Sequence, residues 1–462
     1  MSPAAPAGAN TTSRVRVVLY AAAAAALLGA GFVYGYFAHR NSLFPAPLIR
    51  RWSEPARLEA LADMPPGRWN RVAAAGAGEL ADEIDELRAI GYLSGSSAAP
   101  DASGVLLHDP DAAAGGLNLY TSGHAPEAIL MDMDGAVLHR WRREFGEVWP
   151  PESFADRPGY FEVDYWRRAH LFPDGSLLAI YEGFGIVKLD RDANLLWSYP
   201  RADAASLLGE PGAHHDMFVA DDGRIWVLTR RAHVLERVNP GWPILEDFIT
   251  VLSPAGEPLE TFSLLEAFER SPFKTLLGRI AERGDIFHTN TIEIFDGRHA
   301  ERSSIFARGN ALISLRELNV IAIVDTRAHE VVWAITGLAR RQHQPTLLDN
   351  GNMLLFDNFF NATASRVIEL DPLSQQIVWA WPPDPAADFF SATCGSNQRL
   401  ANGNTLITET DRGRSVEVDA AGNIVWEFLN PQRAGDDDEL IASLFEVVRL
   451  PADYAGGWLE SR

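Results

Sequence analysis

Between residues 115 and 450 apolar residues come in short runs, many alternating with polar ones, and the runs are separated by Asp-Gly or Asn-Gly pairs. The stretch "PDGSLLAIYEGFGIVKLDRDANLLWSY" shows the unit: a turn, an apolar strand, a segment ending in Asp and a strand closing on Trp. Short runs of this kind, bounded by residues that tolerate positive φ, read as strands joined by hairpins. The unit recurs in "DNGNMLLFDNFFNATASRVIELDPLSQQIVWAW", "ANGNTLITETDRGRSVEVDAAGNIVWEF" and "ARGNALISLRELNVIAIVDTRAHEVVWAI". A copy without the Trp starts at "HHDMFVADDGRIWVLTRR", and "GLNLYTSGHAPEAILMDMDGAVLHRW" is a copy truncated at its start. A period of roughly fifty residues built from several short strands predicts a β-propeller.

Six such blocks predict an all-β, six-bladed propeller over residues 105–462, with a channel on its axis. The truncated first block lacks its opening strand, and the C-terminal "LFEVVRLPADY" has the pattern to supply it. That pairing closes the ring and removes its open edges. Trp141, Trp197, Trp333, Trp379 and Trp426 recur at the block ends, where large rings fill the wedge between neighbouring blades. One insertion, "LLEAFERSPFKTLLGRIAERGD" (264 to 285), has a helical period and is expected to cover one mouth of the channel.

The N-terminal pattern is different. Residues 17 to 38 carry no charge and are long enough to cross a bilayer as a helix. Arg14 and Arg16 precede the run, His39 and Arg40 follow it, and "YGYFAHR" is a poor cleavage site. The reading is an N-terminal tail (1–14), a retained transmembrane signal-anchor (15–39) and a juxtamembrane spacer (40–104). The spacer holds a short helix in "AGELADEIDELRAIGYL". The short tail and the character of the downstream domain place the bulk outside the cytoplasm, on the periplasmic or extracellular face. Cys394 is the only cysteine, so no intrachain disulfide forms.

Charge narrows the partners. A formal net charge of −22 repels phosphate backbones, so no nucleic-acid partner is expected. An anionic substrate needs its own patch of positive charge inside the fold. A column of residues about eight positions before the hairpin turns offers one: Arg167 before Gly175, His215 before Gly223, His288 before Gly297 and His343 before Gly351. In the last block this position falls at Gly395, next to Ser396 and Asn397. Each begins an innermost strand, where packing alone selects Val or Leu, so three histidines in one column point to a polar function at one mouth. Three imidazoles can bind a metal, but no carboxylate joins the column, and neither a metal nor another cofactor is read from it. Neutral imidazole is a nucleophile near pH 7, and an arginine beside it stabilises a multi-oxygen anion. That combination suits transfer of a sulfuryl or phosphoryl group. Arg366, on the strand after the His343 hairpin, could hold two oxygens of such a group in a fork.

Taken together, "AHHDMFVADDG", "DIFHTNTIEI", "GNALISLRELNVIAIVD", "RQHQPTLLDNGNMLLFDN", "SRVIELD" and "GSNQRLANGNTLITETDRGRSVEVDAAGNIVWEF" resemble the arylsulfotransferase-like proteins. The resemblance covers roughly residues 115 to 450. It implies an exported six-bladed propeller, often membrane-anchored. Such a protein moves sulfate from a phenolic sulfate ester to an acceptor hydroxyl through a sulfohistidine, without a nucleotide donor. It further implies that His215, His343 and Arg366 hold the sulfuryl group. The catalytic candidates are His343, His215, His288 and Arg366; the substrate-binding candidates are Arg167, His214, Asn358, Glu409 and Arg412.

One departure stands against this pattern. The characterised members carry their nucleophilic histidine in the last blade, on the strand corresponding to "TLITETDRG", and this chain has no histidine after His343. That strand offers Glu409, a candidate base whose charge would repel a sulfate ester unless Arg366 or Arg412 offsets it. The alternative is therefore a non-catalytic propeller that binds an anionic or aromatic ligand or an envelope partner. The Asp…Trp repeats also resemble those of quinone-cofactor dehydrogenases, but six blades and one cysteine argue against that group.

Overall fold

Each repeated block folds into one antiparallel sheet, and there are six of them. The fold is a computed structural model that describes residues 69–71, 102–150, 164–200, 211–282, 284–384, 388–434, 438 and 440–459. The apolar run at 17 to 38 and the expected spacer helix lie outside the described residues. Among the described residues, no helix is long and apolar enough to cross a membrane.

Blade 1 pairs Leu444–Leu450 with Leu117–Ser122, Glu127–Met131 and Val137–Arg142, in that order. The C-terminal strand therefore does supply the missing inner strand, and it joins the two ends of the propeller through the register Val447 to Tyr120. Blades 2 to 5 are each continuous in sequence, their innermost strands being Arg168–Leu171, Gly212–Val219, Thr289–Ile294 and His343–Leu347. Blade 6 starts at Ser396–Arg399 and gains a fifth, outermost strand, Gly104–His108, which pairs with Ile424–Leu429. Ahead of it, Trp69–Arg71 pairs with Leu440–Ala442, so the segment read as spacer contributes a strand beside the C-terminal region.

The core lies between blades. Trp141 and Trp426 are fully buried, and each donates its indole N–H to a turn carbonyl of the next blade, Gly175 and Met133. In blade 5 this place belongs to Trp381, bonded to Gly422, and not to Trp379, which stays half-buried under Arg399. Burying a ring at these joints removes apolar area from water on two sheets at once, on the order of 2 kcal/mol per side chain.

Two features depart from the sequence reading. The insertion at 264 to 285 forms a short helix, Leu264–Glu269, and a 3₁₀ turn, Lys274–Arg279. Its Leu264, Leu265 and Phe268 pack into the core shared by blades 3 and 4, against outer strands rather than over the channel mouth. The insertion follows its apolar face, which finds a partner at the blade joint. The second feature is a long hairpin in blade 3, Ile225–Leu235 with Asn239–Leu252, which runs past the blade on the side where Gly212–Val219 begins. Gly284–Asp285 adds to this extension in parallel.

Candidate active site

The inner strands bring the expected column together. His343 opens its strand, Arg167 and His288 immediately precede theirs, and His215 sits within Gly212–Val219. Arg167, His215, His343, Asn290, Gly395, Ser396 and Phe445 line one pocket on the axis. Its open space is ≈ 20 Å³, room for about one or two waters, so only a small head group can be seated here.

His343 is held in one tautomer. Asn358 is fully buried, and its amide N–H groups donate to the carbonyls of Ser391 (2.9 Å) and Cys394 (2.7 Å). Its oxygen is thereby turned toward His343 Nδ1 at 2.7 Å, so Nδ1 donates the proton and Nε2 keeps its lone pair. Burial holds the His343 pKa well below the ordinary imidazole value, leaving a neutral ring at pH 7. Asn358, expected as a substrate contact, thus bears on the imidazole instead.

Arg167 lies across the same pocket, its guanidinium 4.8 Å from the Phe445 ring centroid. Among the described residues its Nε is buried without a hydrogen-bond acceptor, and the nearest carboxylate, Glu182, stands 3.9 Å away. A cation with an unfilled donor is the private positive charge that a net-acidic protein needs for an anionic ligand.

The pocket floor was not read from the sequence. Arg168 binds the carboxylates of Asp216 and Glu446 and donates to Gln344 Oε1 at 3.0 Å. Four blades thus meet in one ion-paired knot on the axis. Beyond it a wider space of ≈ 810 Å³ opens among Glu293, Asn397, Arg399 and Val448. Only the adjacency of Arg167 and Arg168 hinted at this, because the partners are separated by up to 278 positions in the chain.

His214, His215 and His288 form a cluster beside the pocket, their ligating nitrogens within 4.8 Å of one another. Adjacent residues of a strand normally point to opposite faces. A register shift between Ala213 and Met217 lets both His214 and His215 face the cluster, with ring centroids 3.8 Å apart. Burial lowers the pKa of both rings well below the ordinary value, and His214 adds to the effect on His215. His288 has φ +48° and is pinned by Asp285, which accepts from its backbone N–H and its Nδ1. Burial, with the charge of Asp285 nearby, pushes the Asp247 carboxyl up to about 6.

The remaining candidates lie apart from the pocket lining. Arg366 donates through Nε to Asp357 at 3.0 Å and stacks over Phe360. Glu409 is buried, accepts from Phe390 N–H, and has Arg412 Nε at 3.3 Å and Arg414 Nη1 at 3.5 Å. Burial raises the Glu409 pKa to about 7 against the pull of both arginines. Arg412 also binds the Asp388 carboxylate. Where a last-blade histidine was looked for, the strand and the turn after it instead brace the loop beneath His343: Gly395 N–H donates to Thr410, and Thr393 to Asp411.

The arylsulfotransferase (ASST) family model matches residues 169–431, more than half of the chain. No curated protein matches. Among solved structures, a protein of unknown function from Bacteroides caccae is 14% identical, with 72% of this chain and 98% of that chain covered and a TM-score of 0.46. The virginiamycin B lyase of Staphylococcus aureus with quinupristin is 10% identical, covering 74% of this chain and 98% of that one at a TM-score of 0.39. Likenesses this distant carry no chemistry. The family match does identify the chain, which belongs to the arylsulfotransferase family.

Proposed function

We propose that this protein transfers a sulfuryl group from an aryl sulfate to an acceptor hydroxyl, with His343 Nε2 as the nucleophile. The observation that carries the reading is the fixed His343 tautomer, facing a pocket shared with Arg167, whose Nε has no hydrogen-bond acceptor among the described residues. The Nε2 lone pair attacks sulfur; the N–S bond forms as the S–O bond to the aryl group breaks, and a phenolate leaves. Arg167 and the Ser396 hydroxyl, both on the pocket wall, offer donors to the sulfuryl oxygens as charge shifts onto the leaving group. The acceptor oxygen then attacks sulfur and releases neutral His343. The acceptor's proton ends on the phenolate, so sulfuryl and proton change places and nothing else is consumed. The narrow pocket supports this: it seats the sulfuryl head and keeps the organic part at the mouth. The uncharged run at 17 to 38 supports an anchored, exported protein that meets small sulfate esters outside the cytoplasm.

A second reading, a propeller that binds such an anion without turning it over, is favoured by the absence of histidine from Thr405–Glu409. Incubation with 4-nitrophenyl sulfate and a phenol separates the two. Transfer predicts nitrophenol release, a sulfuryl mass gain on the intact protein, and loss of both in His343→Ala. Nil turnover and no mass gain across a panel of phenolic sulfates would leave binding alone.

A further inference from the structure

His214, His215 and His288, of which His215 also lines the pocket, are given no role in that step, and their surroundings resemble those of metal ligands. His214 is fully buried; its Nδ1 donates to the Thr289 carbonyl at 2.9 Å, and its Nε2 has no partner among the described residues. Thr289 is itself fixed, since its N–H and hydroxyl both donate to Asp247 Oδ2, at 2.7 and 2.6 Å. His288 Nδ1 donates to Asp285 at 2.6 Å, which leaves its Nε2 as the free lone pair. His215 stacks on His214 and stands 5.4 Å, ring to ring, from His288. A carbonyl on one Nδ1 and a carboxylate on another are the supports that orient imidazoles toward a metal and raise their basicity.

We propose that His214, His215 and His288 form a binding site for a divalent zinc-class cation, with an open position toward the His343 pocket. The donor set fits. Three neutral imidazoles plus one exchangeable position is a ligand set of catalytic zinc, and imidazole is a preferred ligand of that metal class. The charge fits as well: the Asp285 carboxylate, bonded to His288, stands 3.9 Å from Arg230 Nη1 and offsets that cation. Nitrogens of a tetrahedral site stand ~3.3 Å apart for bonds of about 2.05 Å, so the three rings, whose ligating atoms now lie within 4.8 Å of one another, would turn to close on the ion. The alternative, a purely polar packing of three rings, leaves His214 Nε2 buried without a hydrogen-bond partner among the described residues, which is unfavourable. His215 belongs to both the cluster and the pocket, so the open position faces the sulfuryl-accepting chamber. On the sulfuryl-transfer reading, that position takes the acceptor hydroxyl and lowers its pKa.

The test uses the full-length chain without a histidine tag. Zinc content after dialysis against trace Zn²⁺, and the visible spectrum on titration with Co²⁺, read the site without any turnover. One equivalent of Zn²⁺ per chain and the intense bands of four-coordinate Co²⁺ are expected. His288→Gln, which removes the partly exposed ligand of the three, loses both. Asp285→Asn weakens affinity ~10–100-fold, while His343→Ala keeps it. Absence of stoichiometric metal in the wild type, or metal retained in His288→Gln, overturns the proposal. Because the readout is binding, either result leaves sulfuryl transfer to be judged by the aryl sulfate assay.

Discussion

The His343–Asn358 pair shows how much chemistry one amide orientation controls. Both amide hydrogens of Asn358 are committed to the carbonyls of Ser391 and Cys394, so its oxygen has one use left, the proton on His343 Nδ1. Asn358→Leu removes three hydrogen bonds and is expected to destabilise by ~1–3 kcal/mol, read by urea unfolding. It also frees the imidazole to rotate and change tautomer, so kcat is expected to fall ~100-fold with KM little altered. The depressed His343 pKa sets a pH signature. Protonation silences the nucleophile, and burial moves that protonation below 6.5, so kcat for 4-nitrophenyl sulfate stays level from pH 8 down through 6.5. A loss of activity centred at 6.5 would rule out His343 as the buried nucleophile.

Elements decide what the residues can face. In a regular strand His214 and His215 point apart; the bulge in Gly212–Val219 puts them side by side. The period-two pattern hides such a device, because a bulge is set by how two strands pair and not by the residues of one. The last blade acts through its turn, where Glu409, Thr410 and Asp411 hold the loop that carries Phe390, Thr393 and Gly395. Gly395 has φ +97°, and a Cβ there would lie 2.9 Å from the Phe356 ring. Gly395→Ala is expected to cost ~1–3 kcal/mol and to disturb the His343 pocket, seen as a lower melting temperature and reduced kcat. Glu409 contributes a pH term of defined sign. Its pKa rises from 4.5 in the unfolded chain to about 7 in the fold, so its protonated form is the one folding favours. Its contribution is complete below 4.5 and is lost as pH rises toward 7, by up to ~3 kcal/mol. Glu409→Gln does not titrate, so its stability relative to wild type should improve between pH 4.5 and 7; a difference constant with pH would refute the buried, protonated carboxyl.

At the scale of the molecule, closure of the ring and the knot on its axis are one event. Leu444–Leu450 completes blade 1 and delivers Glu446 to Arg168, which also binds Asp216. Truncation after Ser443 opens blade 1 and removes Glu446, and cooperative thermal unfolding should be lost. Arg168→Met leaves the buried Asp216 and the partly buried Glu446 without their cation and should cost ~3–5 kcal/mol, whereas removing all three charges together should cost less. Equal destabilisation by the single and triple replacements would show that Arg168 acts by packing alone.

The sequence by itself determined the blade count, the strand that closes the ring and the column of Arg167, His215, His288 and His343. Each follows from local information: hairpin turns and alternation repeated from block to block, and an offset of eight or nine residues from the turn for the four column residues. Tertiary structure alone decided which atoms meet. Arg168 with Glu446, His214 with the Thr289 carbonyl, and Asn358 with the loop at Ser391 join positions distant in the chain. Nothing in a periodic pattern encodes such pairs, because they depend on the angle at which one blade follows the next and on the bulge that redirects a strand. Arg366 makes the same point in reverse: its place on the strand was legible, but the carboxylate of Asp357 claims its Nε in the folded chain. Packing of the six sheets settles which polar groups reach the axis, since only there are inner strands close enough for their ends to share one pocket.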